Sequence, residues 1–164
     1  MIIGFSCPKH FRLFSSLTKI YQNTQYSHMY IRLYDSRTDK WIVYEASYGY
    51  THAISYDKFK NENNIFHEYG IGSSENQELN VLSFCQDNLQ KKYGKLTVLG
   101  ILFDRQFGRD GDKTFICSEF VMRLLKISNL LEHVYDIEYI TPVEAHGMLL
   151  RLGREGKLSI NKYI

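Results

Sequence analysis

The segment Phe115-Ile116-Cys117-Ser118-Glu119-Phe120-Val121 places a thiol at the start of a helix-like run. From Cys117 onward, apolar residues recur at Phe120, Val121, Leu124 and Leu125, the spacing of one helix face. A first helical turn carries unpaired N–H groups and partial positive charge, which favour a thiolate over a thiol. Far upstream, Tyr26-Ser27-His28-Met29-Tyr30-Ile31 holds a histidine at the start of a strand-like run. An imidazole titrates near neutrality and can deprotonate a thiol. Base and sulfur together point to nucleophilic catalysis. Glu45 is the candidate third member, because a carboxylate on the far imidazole nitrogen fixes the tautomer and stabilises the imidazolium.

Each residue also has a plainer reading when taken alone. Cys117 reads as a small buried hydrophobe, His28 as a half-exposed strand residue and Glu45 as a solvated acid. An acid between Tyr44 and Ala46 is nevertheless unusual, since acids are depleted in aromatic strands. His52 is the best alternative base. His10, His67 and His133 fall in loop-like or polar settings, and His146 falls on a helix face. Cys85 lies within an apolar helix-like run and reads as core.

These residues need elements to hold them. Met1–Ser6 reads as an apolar strand ended by Pro8, and Phe14–Asn23 as a short helix with Leu17, Ile20 and Tyr21 on one face. Tyr26–Tyr34 alternates, with Met29, Ile31 and Leu33 facing one way and His28, Tyr30 and Arg32 the other. Trp41–Ser47 alternates again across a polar turn near Arg37, so the two strands form a hairpin. That register sets His28 and Glu45 opposite or one diagonal apart.

Further strand-like pieces cover His52–Ser55 and Asn64–Tyr69, with a helix or loop over Asp57–Asn64 between them. Ser74–Tyr93 reads as a helix closed by Gly94 in a left-handed cap. Thr97–Phe103 is apolar and ambiguous, and Phe107–Lys113 reads as an exposed loop. The helix opened by Cys117 extends to about Leu131. Thr141-Pro142-Val143-Glu144 is a helix start, with a cap residue, a proline and an early acid, and that helix ends at Gly153. Leu158–Ile160 reads as a closing strand. Hairpin-linked strands mixed with helices favour an α+β class over regular βαβ alternation.

Composition narrows the function classes. The 164 residues fit a single domain spanning 1–164, with no linker or repeat dividing them. A net charge of +2 without a long basic block argues against nucleic acid as a partner. Three widely spaced cysteines, Cys7, Cys85 and Cys117, suit a reducing compartment better than a disulfide framework. No metal site or cofactor is expected: Cys7 and His10 form one isolated pair, and no phosphate-cradling or dinucleotide motif occurs. No stretch approaches membrane-spanning length, and no signal peptide is visible. The expectation is a cytoplasmic protein; a phage-encoded one would be delivered by lysis or packaging.

In order along the chain, Ile2-Ile3-Gly4-Phe5, Tyr26-Ser27-His28-Met29-Tyr30-Ile31, Val43-Tyr44-Glu45-Ala46-Ser47 with Gly49, Phe115-Ile116-Cys117-Ser118-Glu119-Phe120-Val121 and Thr141-Pro142 resemble one family. It is the circularly permuted, papain-like branch of the NlpC-type cysteine hydrolases. The resemblance implies an antiparallel sheet packed against the helix that bears the cysteine. It also implies Cys117 as nucleophile, His28 as base, Glu45 as the orienting residue and the Cys117 N–H in an oxyanion hole. Tyr93 would stand near the site, and Tyr26 and Tyr30 flank the base as expected substrate contacts. Relatives often carry a small residue two places after the histidine, so bulky Tyr30 implies a narrowed cleft.

The implied reaction is thiolate attack on an amide or ester carbonyl, through an acyl-thioester. The implied substrate is a peptide, a peptidoglycan-like chain or a lipid. An acyltransferase on the same site and a non-catalytic binding module are the alternatives.

Overall fold

The computed structural model describes residues 1–10, 13–47, 49–102, 114–131, 137 and 139–163. Among the described residues, eight strands form one sheet in the order β7-β6-β4-β3-β2-β1-β5-β8. They are β1 (Ile2–Pro8), β2 (His28–Asp35), β3 (Lys40–Ser47), β4 (Tyr50–Ser55), β5 (Asn63–Ile71), β6 (Lys92–Tyr93), β7 (Thr114–Phe115) and β8 (Ile160–Lys162). All pairings are antiparallel except β6 with β7. The helices are α1 (Leu13–Gln22), α2 (Tyr56–Glu62), α3 (Glu75–Asp87), α4 (Lys95–Leu102), α5 (Cys117–Ile127) and α6 (Pro142–Arg154). The class is α+β.

Alternation along β2 decides what covers each face. Met29, Ile31 and Leu33 join Ile3 and Phe5 of β1 and Tyr44 and Ala46 of β3 in the main core. Phe120, Val121, Leu124 and Leu125 of α5 close that core from above, with Val81 and Cys85 of α3 and Leu149 of α6. The opposite face carries a smaller cluster, in which Phe59 of α2 covers Tyr30 and Val43.

Under α2 lies a buried ion pair. Arg32 Nε and Nη2 donate to the two oxygens of Glu68 at 2.9 and 2.8 Å, and the Tyr30 hydroxyl donates to Glu68 Oε1 at 2.6 Å. The aromatic rings of Trp41 and Tyr56 flank the guanidinium. A pair this fully bonded can offset its desolvation, whereas one missing partner leaves a buried charge. Gly4 of β1 is where Tyr30 crosses the neighbouring strand: a Cβ there would lie 2.1 Å from Tyr30 Cζ.

Several expectations shift in detail. The helix expected over Ser74–Tyr93 ends at Asp87, where the Asn88 side chain donates to the Phe84 carbonyl. The chain then turns through Gln90 at φ +66° and enters β6, so Gly94 is no left-handed cap. Gly94 is buried instead, with its N–H on Phe115 O, linking β6 to β7. Thr97–Phe103 resolves in favour of a helix, α4, up to Leu102. The cysteine helix stops at Ile127, four residues short of Leu131, where Ser128 bonds back to Leu124 O. His67 sits on β5, within the strand expected over Asn64–Tyr69. Phe107–Lys113 and His133 lie outside the described residues.

Candidate active site

The β2–β3 register, running from Asp35↔Lys40 to Ile31↔Tyr44, centres the turn beside Arg37. Continued toward the start of β2, it sets Glu45 opposite Tyr30 and His28 one diagonal away. His28 Nε2 is hydrogen-bonded to Glu45 Oε2. β4 then brings His52 opposite Glu45, with its Nε2 at 2.9 Å from Oε1. One buried carboxylate therefore serves two imidazoles, one on each oxygen.

Cys117 is the first residue of α5. Its N-cap, Ile116, has no side chain able to accept from the first turn, so the leading N–H groups of the helix remain available at the sulfur. The Cys117 sulfur sits close enough to the His28 ring and to the backbone N–H groups of Met29 and Ser118 for all three to favour its ionised form. It lies 4.0 Å from the Ser27 carbonyl. Ser118 anchors the helix start, its hydroxyl donating to Ile140 O just ahead of α6.

Electrostatics bias the pair toward charge. Burial opposes a charge on His28, but the Glu45 carboxylate and the bond to Cys117 outweigh it and raise the imidazole from 6.5 to about 10. Burial likewise opposes ionisation of Glu45, yet His28 and then His52 pull it down to about 2. For Cys117, burial raises the thiol pKa, and the His28 bond, its positive charge and the two backbone N–H groups more than reverse that. All three shifts run toward the charged forms: thiolate, imidazolium and carboxylate. Cys85, buried without such partners, is pushed well above the usual thiol range.

Two cavities meet here. The larger, about 370 Å³, is lined by His28, Glu45 and Tyr93 on one side and by Leu13, Ser15, Lys95 and Val98 of α1 and α4 on the other. It falls within the size range of small-molecule sites. The smaller, about 30 Å³, contains Cys117 and has room for about one water. Thr18, Ser27, Tyr93 and Val98 belong to both and form the partition between them. Cys117 as a whole is only 4% exposed.

The three expected binding tyrosines part company. Tyr93 lines both cavities; burial raises its phenol pKa, and the charge of Cys117 and a hydrogen bond to it raise it further. Tyr30 does not narrow the cleft. It is wholly buried on Phe59 and bonded to Glu68, because the space over Gly4 accepts its ring. Tyr26 also turns away, its hydroxyl bonded to His146 Nδ1 while Tyr69 holds Nε2, both at 2.7 Å. Sequence reasoning underrated His52 as a partner of Glu45 and missed the α1 wall. The signal for His52 was present, as the residue that pairs with Glu45 once Gly49 is taken as the turn.

Among the described residues, no cluster of His, Cys, Asp and Glu side chains is placed to hold a metal ion. Compared with models of known protein families and with curated proteins, the sequence matches none.

Proposed function

We propose that the protein is a cysteine hydrolase of the permuted papain-like, NlpC type, cleaving an amide or ester bond of a peptide, peptidoglycan-like or lipid substrate. The observation that carries this reading is the contact of the Cys117 sulfur with His28, whose other nitrogen is held by Glu45. The order of the three in the chain, histidine and acid before cysteine, agrees with the resemblance in the sequence.

The Cys117 thiolate attacks the carbonyl carbon, and the carbonyl π electrons move to oxygen. The N–H groups at the uncapped start of α5 supply donors for that oxyanion. The imidazolium of His28 gives its proton to the leaving amine or alcohol as the C–N or C–O bond breaks, leaving a Cys117 thioester. Neutral His28 then takes a proton from water, which attacks the thioester and releases acid and thiolate. Glu45 keeps the ring oriented throughout and stabilises its charged form.

The test compares the wild-type chain with Cys117→Ala and His28→Ala on chromogenic amides and esters. Release of product by the wild type alone is the expected result. A thioester that persists until an amine or alcohol is added would make the protein an acyltransferase. Equal release by all three chains would remove the enzymatic reading.

A further inference from the structure

Helix α1 is turned inside out. Its polar side chains Ser15, Thr18 and Gln22 face the two cavities, and Ser15 is bonded to Ser27. Its apolar side chains Leu13, Leu17, Ile20 and Tyr21 form one i, i+4, i+7, i+8 stripe that is 39% to 77% exposed. A surface helix ordinarily buries that stripe and wets the other. Leu96 of α4, a helix that contacts α1, is also 57% exposed. A contiguous apolar surface beside a cleft marks a contact site.

The two segments that supply this surface carry charge of one sign. No Asp or Glu occurs from Met1 to Tyr34, nor from Asn88 to Phe103. Lys92 and Lys95 are exposed, and Lys95 shares the cavity rim with Leu13. An apolar helical stripe edged by lysines, without carboxylates in either segment, matches the chemistry of a helix lying in the interface of an anionic bilayer. No described helix is long and apolar enough to cross one. A second copy is a poorer occupant, since a two-fold contact over the stripe brings the basic rim against itself.

We propose that α1 and the start of α4 dock the protein onto an anionic lipid surface, with the mouth of the larger cavity against the headgroups. This goes beyond the hydrolase reading and does not need a reactive sulfur, so it is measured on the Cys117→Ser chain as well as on the wild type. Sedimentation with phosphatidylglycerol–phosphatidylcholine vesicles is compared with sedimentation with pure phosphatidylcholine vesicles. Both chains are expected to partition onto the anionic vesicles and to leave them as salt rises. Ile20→Asp is expected to cut partitioning about tenfold or more, and Lys95→Glu about fivefold or more. Circular dichroism melts establish that the variants are folded. Absence of vesicle binding, equal binding to both vesicle types, or wild-type binding by folded Ile20→Asp would overturn the proposal. A dimer in vesicle-free buffer that Ile20→Asp dissociates would assign the stripe to a second copy and overturn it too.

Discussion

Replacing Glu45 by Gln keeps the shape of the side chain and removes the charge that holds the site together. Raising His28 from 6.5 to about 10 is worth about 5 kcal/mol in favour of the imidazolium, at about 1.4 kcal/mol per pH unit. The leading contribution in that direction is the Glu45 charge. Without it, burial dominates and drives His28 toward the neutral form. Cys117 then loses its nearest positive partner, and its pKa climbs toward that of free cysteine. A thiol of pKa about 8.5 is ionised to only about 3% at pH 7.

Iodoacetamide alkylation at pH 7 therefore falls, though by less than the thiolate fraction does, because the weaker acid is a somewhat better nucleophile once ionised. If the proposed hydrolase reading holds, turnover suffers more, by about 10³- to 10⁴-fold, because the base also loses its orientation. The assay is the rate of Cys117 alkylation across pH, read by mass spectrometry of the peptide. Wild type should show a midpoint well below that of Glu45→Gln. Superimposable profiles for two equally folded chains would refute the coupling.

The same pair governs stability at both ends of the pH scale. Glu45 is held at about 2 against an ordinary 4.5, so its contribution is complete above 4.5 and is lost as pH falls toward 2. His28 contributes below 6.5 and loses that contribution as pH rises through about 10. Thermal melts should fall along both limbs in the wild type and be flatter in Glu45→Gln. His52→Gln removes only the second imidazole from Glu45, so alkylation of Cys117 should shift in the direction of Glu45→Gln but by less, in the same pH series. Gly4→Ala should lower stability by about 1–3 kcal/mol or more in urea unfolding, because the new methyl group displaces the Tyr30 ring from a packed core.

The sequence carried the site further than it carried the surroundings. Cys117, His28 and Glu45 were legible because each sits where local rules apply: a helix start, a strand start, and an acid in an aromatic strand. The β2–β3 hairpin was legible from period-two alternation and a polar turn, and it carried the His28–Glu45 diagonal with it. The role of Tyr30 was not legible, because its destination depends on Gly4 of a strand that pairs from far along the chain. Tyr26 likewise depends on His146, 120 residues away. Helix α1 was found with its apolar face correctly grouped, yet periodicity says which residues share a face and not which way that face points. The end of α3 was missed because an Asn88 side-chain cap ended the helix before Gly94 could.

The most direct test of the central claim is intact-mass analysis after brief mixing with p-nitrophenyl acetate. One acetyl group on Cys117, formed in a burst with p-nitrophenol and absent from His28→Ala, is the predicted result. Acetylation spread over lysines, or unchanged in folded His28→Ala, would contradict a nucleophile activated by its neighbouring imidazole.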